Sequence, residues 1–199
     1  MNKLLCQLND EGFTEKPTDI KFYGKLRDKM IQKPWSYVTE NEFIRKVTKE
    51  GHAFYGCLFD GHDLMETGQQ RLCWKTQTLV GVDIDKSDVS PTLMKQFYEV
   101  WGLEPWLIYP TFSDDPNGKR SYRLLWRVQV DLSESYDDWA YVIKGMSQLS
   151  SEGDPRARDC SRLWQGGLKG PLYHNRSAQP LSYSYLKDKV EVYQERVPA

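Results

Sequence analysis

The sequence has no Cys-x-x-Cys pair. Its four cysteines, Cys6, Cys57, Cys73 and Cys160, are scattered along the chain, which excludes zinc-ribbon and thioredoxin-like motifs and suits the reduced thiols of a cytosolic protein. Histidine is equally scarce: His52, His62 and His174 are too widely spread to suggest a zinc site and are expected on the surface or in the core. Long apolar runs are missing too. The opening residues MNKLLCQLNDEGF turn polar by Gln7, so neither a signal peptide nor a membrane span is expected, and the chain reads as a soluble cytoplasmic protein without a membrane partner. An excess of one charge is also absent. With 27 basic and 28 acidic residues, no global field attracts nucleic acid or anionic lipid, and any polyanion site must be local. No internal repeat or low-complexity segment occurs.

What the 199 residues do contain is enough apolar and aromatic material for one sizeable core, with seven Trp and twelve Tyr. Strand-like and helix-like stretches alternate, which predicts an α/β or α+β class. YVTENEFIRKV places Thr39 three residues before Glu42, a capping box that predicts a helix burying Phe43, Ile44 and Val47. FYGCLFDG reads as a strand ending in a turn, and ETGQQRL as a polar loop. Ser90 and Pro91 form an N-cap and first-turn pair for a helix carrying Leu93, Met94, Phe97 and Trp101, stopped by Gly102. PWLIYPTFS is a further strand, SDDPNGKR a turn, and SYRLLWRVQVDL a long strand starting near Tyr122. Ser135 caps a second helix with Trp139, Val142, Ile143, Met146 and Leu149 on its inner side. The aperiodic stretch EGDPRARDCSRLWQGGLKGPLYHN, rich in Gly, Arg and Asp, reads as a functional loop.

The feature that demands explanation is LVGVDID, residues 79 to 85, where two carboxylates end a run of buried-strand character. Asp is depleted in strands and costly to bury. Strand side chains alternate, so Asp83 and Asp85 share one face with β-carbons about 6.5 to 7 Å apart. Two carboxylates so placed repel unless a cation offsets them, and Mg²⁺ or Mn²⁺ prefers such oxygen ligands; the alternative is a strand that ends at Asp83 with both acids capping the turn. Removing either acid is accordingly expected to leave stability unchanged or higher. A third acid is offered by Asp154 or by Asp159, and each of the two also fits a turn cap or a partner of Arg156, Arg158 or Arg162. Cationic candidates for phosphate contact are Lys119, Arg120, Arg123, Arg156, Arg158 and Arg162. Arg123 can reach the two acids only if its strand neighbours theirs.

Three stretches, in order, resemble the archaeo-eukaryotic primase superfamily, in particular the primase-polymerase domains of plasmid and phage replication proteins. They are VGVDID, YPTFSDDPNGKRSYRLLW and GDPRARDCSRLWQGG, and the similarity spans about residues 75 to 170. The resemblance implies metal-binding acids at Asp83, Asp85 and Asp154, with Asp159 the alternative third ligand. It implies nucleotide contacts from Thr111, Ser113, Lys119, Arg120, Arg123 and Arg162. Many members carry a His in the second stretch; here Asp114 follows Ser113, and phosphate contact passes to Arg or Lys. The implied fold is an RRM-like core sheet with packed helices over about residues 75–190, preceded by a small α/β subdomain over about 1–74, all within one domain.

The resulting expectation is a template-directed nucleotidyl transferase, a DNA primase or primase-polymerase. It would join nucleoside triphosphates on a single-stranded DNA template with Mg²⁺ or Mn²⁺ in a two-metal mechanism. Trp164, Tyr122 and Trp126 are candidates for base stacking, with Trp126 better suited to the core. A helicase or helical priming module on a longer chain is an expected partner. Two other classes use acids on a sheet: a metal-dependent nuclease or relaxase-like nicking enzyme, and a non-catalytic nucleic-acid-binding module. A relaxase needs a nucleophilic Tyr and clustered His, which the separated histidines do not offer.

Overall fold

The computed structural model describes residues 3–60, 70–154, 156–157 and 159–196. The chain opens with β1 (Lys3–Gly12), α1 (Ile20–Gln32), β2 (Ser36–Thr39), α2 (Glu40–Lys49) and β3 (His52–Tyr55). Helix α2 starts where the capping signal places it. Thr39 accepts a hydrogen bond from the Glu42 N–H at 3.2 Å, Glu40 and Glu42 stand in the first turn, and Lys46 and Lys49 in the last, matching the helix dipole. Phe43, Ile44 and Val47 are buried as expected.

FYGCLFDG forms two strands rather than one, β3 and β4 (Cys57–Phe59). The break lies at Gly56, whose carbonyl accepts the Thr78 and Leu79 N–H groups, both at 2.8 Å, so the backbone is pulled out of one sheet and into a hairpin. Part of ETGQQRL lies outside the described residues; its end enters a short helix, α3 (Gln70–Cys73), instead of a loop. There follow β5 (Trp74–Gln77), β6 (Leu79–Ser87), α4 (Pro91–Val100), β7 (Leu107–Pro110), β8 (Arg120–Arg127), α5 (Tyr136–Gln148), β9 (Leu163–Trp164), β10 (Tyr173–His174) and α6 (Tyr183–Arg196). The fold is thus mixed α+β.

A central antiparallel sheet has the order β10-β7-β8-β6, and a second runs β2-β1-β3-β9. Strand β8 begins at Arg120, two residues earlier than the sequence suggests, because Ser87 pairs with Arg120 beyond a register shift. Alternation divides the central sheet. Val80, Val82, Ile84, Ile108, Tyr122, Leu124 and Trp126 join Met94, Tyr98, Trp139, Val142, Ile143 and Met146 of the helices in one core cluster. Leu79, Leu107, Tyr109 and Leu125 meet Phe43, Val47, Phe54 and Trp164 in another. Leu93, expected on the core face of α4, is 59% exposed; Met94 makes the contact as expected and is joined by Tyr98, with Phe97 and Trp101 partly buried against the same core. Gly102, at φ +73°, ends that helix region in the left-handed conformation glycine tolerates.

The N-terminal sheet takes β9 from residues 163–164, and each core cluster draws residues from both sides of position 74. The two sheets are therefore laced together by chain and by core. Among the described residues, no helix is long and apolar enough to cross a membrane.

One close packing point tests this arrangement. A β-carbon on Gly145 of α5 would collide with the Val190 side chain of α6. Gly145→Ala should destabilise the protein by about 1–3 kcal/mol despite alanine's better helix propensity, read as a lower urea midpoint. An unchanged or higher midpoint would mean that α6 is free to move aside.

Candidate active site

The acids are assembled by the sheet and its edge. Asp83 lies directly opposite Arg123 in the β6–β8 ladder, so the strand neighbourhood that Arg123 requires is met. Its guanidinium donates to Asp83 Oδ1 at 2.9 Å, to the Tyr109 hydroxyl at 2.7 Å and to the Gln165 carbonyl at 2.6 Å. The Arg123 side chain is only 6% exposed, and its guanidinium carbon stands 4.4 Å from the Trp164 ring centroid, a cation–π contact. Burial opposes the Arg123 charge, but Asp83 and Tyr109 outweigh it and hold the guanidinium above its ordinary pKa. Burial pushes the Tyr109 phenol up to about 12 against the pull of Arg123. The first compensation for the paired acids is therefore internal to the sheet.

Asp85 sits where the ladder slips between Ile84 and Ser87. Its Oδ1 accepts from the Ser121 hydroxyl at 2.9 Å. Asp154 reaches the same place through the backbone: its N–H donates to the Asp83 carbonyl at 2.8 Å, and Gly153 bridges Ile84, closing the free edge of β6. Its own Oδ1 accepts the Arg156 N–H at 2.8 Å.

Asp83, Asp85 and Asp154 line one pocket of about 320 Å³ together with Thr111, Ser113, Arg123 and Arg162. Lys16, Phe112, Arg156 and Gln165 complete it. Sequence reasoning did not single out Lys16, Phe112 or Gln165. Lys16 arrives from the segment between β1 and α1 with no local motif to mark it, and Gln165 contributes partly through its carbonyl, which any residue carries. Arg162 donates to the Arg156 carbonyl at 2.9 Å, and its guanidinium carbon stands 5.5 Å from the Trp164 ring centroid. Trp164 is buried and contacts two arginines rather than offering a free face to a base. Tyr122, also a stacking candidate, points into the opposite core with its hydroxyl on the Val89 carbonyl at 2.9 Å. Trp126 is buried as expected.

Three further candidates lie elsewhere. Lys119 pairs with Asp88 on the surface. Arg120 is held by Asp114 through Nε at 2.9 Å and an amino group at 3.3 Å, and neither basic residue lines the pocket. Asp159 also lies outside that lining. Its Oδ1 accepts from the Ser161 N–H at 2.8 Å, the Ser161 hydroxyl at 2.7 Å and the Tyr136 hydroxyl, the pattern of a turn cap. Arg158 lies outside the described residues.

The donor set suits a hard divalent cation in kind. All three pocket acids supply carboxylate oxygens, and in the hydrogen bonds among the described residues each engages through Oδ1. No group of three or more His, Cys, Asp or Glu side chains among the described residues is arranged, as it stands, to hold a metal ion, so the three acids share a pocket without forming a ready-made cation site.

Asp114 braces the loop beside the pocket, and its side chain is 1% exposed. Burial would raise its pKa, but hydrogen bonds from Arg120 and the Ser121 N–H, with the charges of Arg120 and Lys169, hold it below the ordinary carboxylate value. A depressed folded pKa contributes stability that is complete above the unfolded value of about 3.9 and is lost as pH falls through the folded value. Asp114→Asn should therefore lower the urea midpoint at pH 7, with the gap to the parent protein narrowing below about pH 4. A gap that stayed constant with pH would remove the charge from this role.

A scan against protein-family models found no match to this chain, and a search of curated proteins found none either. Among solved structures, the fold is similar to the AEP domain of the cyanophage S-2L primase-polymerase (PrimPol), with 12% sequence identity, a TM-score of 0.49, and coverage of 81% of this chain and 83% of that one.

Proposed function

We propose that this protein is a template-directed nucleotidyl transferase, a DNA primase or primase-polymerase of plasmid or phage-type replication. One observation carries the reading: acids from two separate stretches, Asp83, Asp85 and Asp154, face the same pocket as the basic side chains of Lys16, Arg156 and Arg162. That is the pairing a nucleoside triphosphate needs, with oxygen ligands for divalent cations beside cations for its phosphates. The motif resemblance in the sequence supports the same assignment.

Asp83, Asp85 and Asp154 would hold two Mg²⁺ or Mn²⁺ ions, whose chemistry is to acidify the attacking hydroxyl and neutralise the triphosphate and departing pyrophosphate. Arg162 binds phosphate oxygens through its planar fork, with Arg156 and Lys16 as further cations at the mouth. Ser113 offers a hydroxyl donor to the same oxygens, whereas the Thr111 hydroxyl already donates to the Ser121 carbonyl at 3.2 Å and shapes the wall of the pocket. Arg123 is a positioning residue, since both amino groups of its guanidinium are engaged by Asp83, Tyr109 and Gln165 while its Nε is buried without a partner among the described residues. In this reading Lys119 and Arg120 shape the neighbouring loop. The template is single-stranded DNA, and a helicase or helical priming module on a longer chain would supply further partners.

The test is extension of a single-stranded template with labelled nucleotides, with and without a primer, in Mg²⁺ and in Mn²⁺. Metal-dependent incorporation is expected. Cleavage of labelled DNA in the absence of nucleotides would replace the reading with a nuclease, and no incorporation together with no saturable Mn²⁺ binding would replace it with a binding module.

A further inference from the structure

Asp85 stands at an awkward place in the backbone. Lys86, the next residue, has φ +55° and is the only non-glycine residue among those described with positive φ. Left-handed backbone is unfavourable for a side-chain-bearing residue and persists where surroundings hold it. The holder is Ser121 on the neighbouring strand, 1% exposed. Its hydroxyl accepts the Lys86 N–H at 3.1 Å and donates to Asp85 Oδ1 at 2.9 Å. Ser121 is itself fixed from the other side, because its own N–H donates to Asp114 Oδ1 at 2.9 Å. Asp114 in turn is gripped by Arg120. An unbroken chain of hydrogen bonds thus runs from the Arg120–Asp114 ion pair, whose carboxylate is buried, through one serine, to an exposed pocket acid.

We infer that Ser121 is a positioning residue for metal binding: it spends one oxygen of Asp85 on a fixed hydrogen bond and so turns the other toward the pocket, with Asp114 fixing the serine. The inference rests on the nucleotidyl transferase reading for the role of Asp85, but it concerns a residue that touches neither nucleotide nor ion. Partners of this kind set ligand orientation, and their loss typically costs about 10–100-fold in metal affinity or activity. The hydroxyl is suited to the task because it can donate to a carboxylate and accept from a backbone N–H at once, which neither Ala nor an acid can do.

The experiment compares Ser121→Ala and Ser121→Thr with the parent protein in Mn²⁺ binding without nucleotide, followed by the free-ion paramagnetic resonance signal. Nucleotide kinetics and thermal melting are measured alongside. Ser121→Ala should weaken Mn²⁺ binding about tenfold or more and lower kcat while nucleotide KM stays within about twofold; Ser121→Thr, which keeps the hydroxyl, should recover most of the affinity. Asp114→Asn should weaken Mn²⁺ binding in the same direction by a smaller factor. If Ser121→Ala melts earlier yet binds Mn²⁺ as tightly as the parent, the serine is merely structural and the inference is overturned. If the parent itself binds no Mn²⁺ without nucleotide, this inference is overturned while template extension still decides the nucleotidyl transferase reading, an outcome distinct from a parent that binds and a variant that is unaffected.

Discussion

Asp85→Ala should abolish nucleotide incorporation and leave the protein folded, whereas Asp83→Ala should abolish incorporation and also destabilise the fold. Both acids face the pocket, so each removal takes away oxygen ligands that no neighbour replaces. Their energetic surroundings differ. Asp85 is exposed and loses only the hydrogen bond from Ser121, a net change of about 0.5–1.5 kcal/mol. Asp83 neutralises a guanidinium whose side chain is 6% exposed, and the acid is itself 13% exposed. Breaking a buried pair by removing one partner costs about 3–5 kcal/mol, because the remaining charge is left uncompensated. Relief of carboxylate repulsion, which from sequence would keep stability level or raise it for both variants, is outweighed at Asp83 by Arg123. Urea unfolding and template extension on the same preparations read both effects. Near-full activity in either variant would remove the acids from the chemistry, and equal stabilities would mean that Arg123 is solvated once Asp83 is gone.

That difference shows what the chain makes legible. The shared face of Asp83 and Asp85 follows from strand periodicity, and the buried Val82 and Ile84 on the other face confirm it. The inner sides of α2 and α5 are equally readable, since helical spacing and N-caps are local properties. Pairings between distant segments are not local. Whether Arg123 meets Asp83 depends on which strands are neighbours and in what register. The stretch FYGCLFDG is split by hydrogen bonds to Gly56 from residues 78 and 79, far along the chain. Basic residues are the hardest to place: Lys119 and Arg120 look free in a turn sequence, yet partners from Asp88 and Asp114 claim them. Lys16 reaches the pocket from a loop with no motif.

Between Asp154 and Asp159, the same non-local geometry leads us to propose Asp154 for the third-acid role. Asp154→Asn should remove catalysis and the binding of a second metal ion together. The Asp154 backbone is tied to Asp83 by a 2.8 Å hydrogen bond, so its side chain is carried on the edge of the sheet that bears the other two acids. An amide keeps the shape and one oxygen but loses the negative charge that a divalent cation requires. Asp159 faces another way, with Oδ1 engaged by Ser161 and Tyr136 and its carbonyl accepting the Arg162 N–H at 3.2 Å. Asp159→Asn should therefore act through Arg162, loosening the turn that presents it. Nucleotide affinity should weaken by a modest factor while a measurable part of kcat survives. Arg162→Lys should be the more damaging basic substitution, since an ammonium cannot reproduce the bidentate fork or the stacking on Trp164, whereas Arg156→Lys should be mild because that side chain is 91% exposed. Incorporation rate against nucleotide concentration separates the variants, with Mn²⁺ stoichiometry as the independent reading. A dead Asp159→Asn beside an active Asp154→Asn would transfer the third ligand to the turn and require the segment from 153 to 162 to refold when nucleotide binds.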